Sequence, residues 1–195
     1  MTSSPVGVLG LADTLKAILP EGKFGGPLPP VEQWNPARSA DIGMEIRADG
    51  SWWHDGGRIN RERMVKLFAR ILRKDADGTV WLVTPHEKVI VKVEDAPFLA
   101  VRVDRAGAPG PEQELGFVTN LGDETVAGPE VKLRVVIDAE TGEPAPYVLV
   151  RGRLEAKLTR PAFYELVSMA VPSGANPDEL GVWSRGVFFT LGSAV

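Results

Sequence analysis

The chain has 195 residues and a mass of 21.0 kDa, with 44% hydrophobic and 25% charged residues, the balance of an ordinary soluble globular protein with room for one large domain or two small ones. A net charge of -4 and a pI near 5.3 argue against a surface that is one electrostatic footprint for nucleic acid. There is no cysteine, which removes disulfides, thiolate metal ligands and cysteine nucleophiles together, and His54 and His86 alone cannot build a histidine-rich metal centre.

Apolar residues Val8, Leu11, Ala12, Leu15, Ile18 and Leu19 recur at helical spacing until Pro20 stops them. No basic region precedes them, and Asp13 and Lys16 interrupt the run. Neither a signal peptide nor a membrane span is expected, and the expected setting is cytoplasmic. The stretch from Pro20 to Pro36 is dense in Gly and Pro, so an extended connector is expected there. Phe24, Leu28 and Trp34 are expected to pin it to the protein's own surface in preference to presenting a PPxxxxW partner motif.

From Met44 the residues alternate, and Asp49-Gly50 predicts a type I′ hairpin turn ahead of Trp52 and Trp53. Gly56-Gly57 then releases the chain into a helix predicted over Asn60 to Lys74, with Asn60 as N-cap and Met64, Leu67, Phe68, Ile71 and Leu72 as its buried stripe. Arg61, Arg63, Lys66, Arg70, Arg73 and Lys74 give it a basic opposite face, expected to be solvated. TVWLVT and KVIVKV, joined through Pro85-His86-Glu87, predict a second hairpin.

A domain boundary is expected where Glu94, Asp95 and Pro97 punctuate the pattern. The chain then divides into residues 1–35 (helix and connector), 36–96 (α+β) and 97–195 (antiparallel β with one helix). Strands are predicted in FLAVRVD, ELGFVTN, VKLRVVID, YVLVRGRLE and GVWSRGVFFTLG. A second helix starts at Thr159, with Pro161 in its first turn. Its Phe163, Leu166, Val167 and Ala170 fall at the places of Met64, Leu67, Phe68 and Ile71, an arginine follows each expected N-cap, and a Val-Trp strand follows each helix. A duplicated hairpin-helix-hairpin unit with mainly antiparallel sheets is the fold expected from this repeat.

The run from Asp49 to Phe98, with its TPHEK and VEDAPF segments, and the later FVTNLGD and GVWSRGVFFTLG, resembles the bacterial domain-of-unknown-function family 1285 over nearly all the chain after Trp34. The resemblance implies a duplicated two-domain α+β fold, a C-terminal half like a pleckstrin-homology barrel, and a ligand site where the two domains meet. It also implies a nucleotide-like ligand and a part in signal transduction, with no assigned activity.

Candidate binding residues come from several places. Arg61 and Arg160 would each sit at a helix N-terminus against the dipole, where either a protein carboxylate or a bound phosphate or carboxylate would offset them. His54 with Glu87 or Asp95 could form a general-base pair, against the commoner case of a histidine satisfied within its hairpin. Asn120 and Asp123 can serve a ligand or their own turn, and Arg185 lies between an indole and a glycine that admits close approach. No GxxxxGK[ST], GxGxxG or GxSxG occurs, and the sequence identifies no cofactor.

The leading expectation is therefore a non-enzymatic binding or sensor module for a small anionic ligand. The alternatives are a protein-docking scaffold, a nucleic-acid binder using the basic helix face, and a hydrolase built on His54, Glu87 and Asp95.

Overall fold

The computed structural model describes residues 26–139 and 141–193; the helix expected over Val8 to Leu19, and Phe24, lie outside them. The chain divides into two compact units, Met1–Asp95 and Ala96–Val195. Both are rich in strands, and each carries one described α-helix. No described helix is long and apolar enough to cross a membrane.

The first unit runs β1 (Arg38–Ile46), β2 (Trp52–His54), β3 (Gly57–Arg58), α1 (Glu62–Ala69), β4 (Leu72–Lys74), β5 (Val80–Val83) and β6 (Glu87–Val93). These strands form one sheet in the order β3-β2-β1-β6-β5-β4, antiparallel except where β1 and β6 run parallel. Met44, Ile46, Trp52, Leu72, Leu82, Val89 and Val91 are buried, and α1 adds Val65, Phe68 and Ala69 to the same core. Trp52 stacks against Phe68 with ring centroids 6.3 Å apart. Each such fully buried large side chain contributes about 1.5–3 kcal/mol of transfer free energy.

The helix is half the predicted length. It begins at Glu62, because Arg61 has the extended backbone of an N-cap (φ -83, ψ 95), so Asn60 lies outside it. It stops at Ala69, and the Ile71 carbonyl accepts from the Val83 N–H at 2.9 Å. Leu72, Arg73 and Lys74 then pair with Leu82, Trp81 and Val80. Ile71 and Leu72 are buried as expected, but as the entry to a strand, since a neighbouring strand satisfies their main chain as a further helical turn could not. The single basic face is thereby broken up.

The turn chemistry also differs. Of Asp49 and Gly50, only Gly50 has positive φ (78°); the Gly50 N–H donates to the Arg47 carbonyl at 2.8 Å, and the Arg47 N–H to the Ser51 carbonyl at 2.9 Å. That is a three-residue loop with a left-handed glycine, in place of the expected two-residue type I′ turn. The type I′ pattern falls instead at Asp55 (φ 46) and Gly56 (φ 75), between His54 and its partner Gly57, and makes the unforeseen hairpin of β2 and β3.

The second unit runs β7 (Phe98–Ala106), β8 (Glu114–Thr119), β9 (Glu124–Val126), β10 (Leu133–Ile137), β11 (Pro144–Arg151), β12 (Leu154–Leu158), α2 (Arg160–Ser168), β13 (Val171–Pro172), β14 (Glu179–Ser184) and β15 (Val187–Ser193). A six-stranded sheet has the order β10-β11-β12-β7-β8-β9, with β12 and β7 parallel, and β13-β14-β15 form a second sheet. The sequence β10-β11-β12-α2-β13-β14-β15 repeats β1-β2-β3-α1-β4-β5-β6: three strands, a helix, three strands. β10 lies against β15 without a ladder between them, at the place where β1 and β6 are hydrogen-bonded. Buried Ser184 ties the two sheets together. It accepts from the Leu115 N–H (2.9 Å) and donates to the Ala127 carbonyl (2.7 Å), which satisfies a hydroxyl that has no contact with water.

Candidate functional site

The Asp55-Gly56 turn folds Arg58 back beside Trp53, and the Ile59 N–H donates to the Trp52 carbonyl at 2.8 Å. This brings Arg58, Ile59 and Asn60 to the start of α1. Together with Gly50, Ser51, Trp52, Glu62 and Val65 they line a cleft of about 200 Å³. Arg61, the N-cap residue, makes no side-chain hydrogen bond to the first turn of the helix, whose N–H groups carry the positive end of the dipole. Trp52 is 1% exposed, and its indole N–H is buried without an acceptor. Glu62 is drawn toward Lys66, 2.7 Å away, and that hydrogen bond holds its carboxyl below the usual glutamate range.

A larger hollow of about 340 Å³ lies where β1 bulges against β6 between Ala40 and Met44. Asp41, Glu45 and Lys92 rim it, and Glu45 and Lys92 are 3.7 Å apart. Among the described residues, no group of three or more His, Asp or Glu side chains is arranged to hold a metal ion.

The remaining sequence-predicted residues are dispersed. His54 Nε2 is 3.6 Å from Asp55 Oδ2, within its own hairpin. Glu87 faces Arg38 at 3.8 Å. On β1, His54 lies opposite Met44 and Glu87 opposite Arg38; along β6 the same positions are Val91 and Glu87, four residues and about 13 Å of strand apart, so the general-base pair is not assembled. Asp95 is exposed at the end of the first unit.

Asn120 is held by β7 and not by its own turn: its N–H donates to the Leu99 carbonyl (2.8 Å) and its Oδ1 accepts from the Leu99 N–H (3.1 Å). Asp123 ion-pairs with Arg151 and accepts at its carbonyl from the Thr119 N–H. Arg160 is the first helical residue of α2 and meets Glu143 at 3.3 Å, both side chains exposed; such a pair is worth at most about 1 kcal/mol. Arg61, by contrast, is an N-cap residue, so the two arginines are not equivalent.

Arg185 adopts a left-handed backbone (φ 48) at the tip of the β14–β15 turn, where its N–H donates to the Gln113 carbonyl and its guanidinium meets Glu114 at 2.9 Å. Trp52 and Arg58, central to the cleft, were not singled out from the sequence. The Asp55-Gly56 dipeptide that folds Arg58 into place was the available signal.

The fold defines a class: a two-unit, strand-rich α+β protein whose element order repeats. Residues 29–96 match the N-terminal domain, and residues 97–191 the C-terminal domain, of the protein family of unknown function DUF1285. The chain belongs to that family. It is similar to a DUF1285 family protein from Silicibacter pomeroyi DSS-3, with 41% identity, 97% of each chain covered and a TM-score of 0.85. It is also similar to one from Shewanella baltica OS155, with 30% identity, 66% of this chain and 92% of that chain covered and a TM-score of 0.50. No curated protein matches.

Proposed function

We propose that the chain is a non-enzymatic binding or sensor module that takes the anionic group of a small ligand in the cleft at the start of α1. The observation that carries this is a cleft lined by Arg58 at the start of α1, a helix whose N-cap residue, Arg61, makes no side-chain hydrogen bond to the first turn. The first-turn N–H groups of a helix and an arginine side chain both favour an oxyanion, through the dipole and through charge-assisted hydrogen bonds. At about 200 Å³ the cleft is below the roughly 300–1,000 Å³ of drug-sized sites, which suits a phosphate or carboxylate head better than a whole nucleotide. The pleckstrin-homology-like shape of the second unit, and a signalling role, belong to the same proposal.

Thermal-shift titration with inorganic phosphate, short carboxylates and nucleotides tests it. A concentration-dependent rise in Tm that is lost in Arg58→Ala is expected. No rise with any anion at millimolar concentration would sink the reading. A protein-docking role for the second unit is favoured by the exposure of Tyr164 (67%), Val167 (41%) and Val171 (42%) along and just beyond α2.

A further inference from the structure

Residues Gly26–Trp34 cross the first unit next to β4, the last strand of its sheet. Two arginines hold them. Arg70 Nη2 donates to the carbonyls of Gly26 (2.8 Å) and Pro27 (2.6 Å), and Arg73 Nη1 to those of Val31 (2.9 Å) and Trp34 (2.7 Å). The segment's own N–H groups point inward. Val31 donates to Pro29, Gln33 to Pro30 and Trp34 to Val31, while Pro27, Pro29 and Pro30 have no N–H to give. Its described polar attachment to the sheet is therefore carried by side chains of the sheet and helix end, and not by a main-chain ladder.

The sheet's two margins are treated differently. β3, at one end, is two exposed residues long, too short to template another strand. At the other end the side chains of β4 are buried, Leu72 at 1% and Arg73 at 6% exposed, and Arg73 reaches the Val31 and Trp34 carbonyls. Arg73 is oriented for its task by Asp75, whose Oδ1 accepts from Nε at 2.7 Å.

We propose that Gly26–Trp34 is a strap latched by Arg70 and Arg73 that opens as a unit, independently of the sheet. The strap has the properties of a segment at the low end of local stability: few main-chain bonds to its neighbours, an exposed Leu28 (44%), and attachment concentrated in two side chains. The grip falls on main-chain carbonyls, so it reads the path of the strap more than its side chains.

Native-state amide hydrogen exchange on the full chain tests this, comparing the unaltered protein with Arg73→Lys, which keeps the charge but loses the two-pronged geometry. The amides of Val31, Gln33 and Trp34 are expected to exchange at least tenfold faster in the variant, with Leu82 and Val89 unchanged. Arg70→Lys, at a less buried position, should act in the same direction on the strap, and its result decides if Arg73→Lys does not fold. The proposal is overturned if strap and core amides accelerate together, or if the strap amides exchange no faster in the variants than in the unaltered chain.

Discussion

Asp49 and Asp77 close two hairpins of the first unit in the same way: the Oδ1 of each accepts the N–H two residues on, from Ser51 and from Thr79, both at 2.9 Å. Both stand in Ala-Asp-Gly-Ser/Thr, and in both loops the glycine takes positive φ. The Ser51 hydroxyl first, and its N–H second, hold the Asp49 carboxyl below its ordinary 3.8; at Asp77 the Thr79 N–H is the first cause. A carboxyl whose pKa falls on folding contributes stability above its unfolded pKa and loses it as the pH drops through the folded value. Asp49→Asn should therefore lower Tm at neutral pH, and the gap to the unaltered chain should close on acidification below the usual carboxylate range. Scanning fluorimetry across a pH series checks this, and a gap that widens in acid would contradict it.

Phe68 and Leu166 are each the seventh residue after their helix N-caps, Arg61 and Thr159, and both are wholly buried. Pairing the helices from Asn60 and Thr159 slips this match by one residue and sets Phe68 against Val167, which is 41% exposed. Phe68→Ala should cost about 3–5 kcal/mol and Leu166→Ala about 2–5 kcal/mol in urea unfolding. Val167→Ala should stay within about 0.5 kcal/mol.

Gly181 of β14 has no room for a side chain: a Cβ there would lie 2.4 Å from the Phe189 carbonyl oxygen and 2.6 Å from the Phe188 ring. Gly181→Ala should destabilise the chain by about 1–3 kcal/mol, because main-chain atoms of the paired strand cannot yield as a side-chain end can. Gly192→Ala, where nothing lies within 4 Å, is the control and should be close to neutral. Equal losses in thermal melts would contradict the packing argument.

Arg185 keeps a left-handed backbone that costs an ordinary residue about 1–2 kcal/mol, against an exposed ion pair with Glu114 worth at most about 1 kcal/mol. Arg185→Gly should thus leave Tm unchanged or raise it slightly, and Arg185→Val should lower it, since a β-branched residue fits that backbone worst. A marked loss of stability in Arg185→Gly would show that the side chain outweighs the strain.

Much of the strand pattern was legible locally. Alternation marked β1, β5 and β6; Thr159 and Pro161 marked the start of α2; and Ser-Arg-Gly between apolar runs marked the last hairpin. These features depend on backbone preference and on a period of two or 3.6, which a short window contains. The candidate cleft was less legible, because Trp52 and Arg58 meet only after a turn that reads as one more glycine-rich release.

The sequence by itself determined the class of fold, the repeat of strands around a helix, and some of the places where the chain turns. Tertiary structure alone decided where α1 stops and what its arginines do. Ile71 and Leu72 fit a helical stripe and a strand equally, and the choice fell to β5, whose main chain offers them partners. Arg70 and Arg73, which spacing placed on a solvated face, hold carbonyls some forty positions earlier in the chain. Hydrogen-bond partners that distant leave no local pattern, because the acceptors are main-chain oxygens that every residue carries.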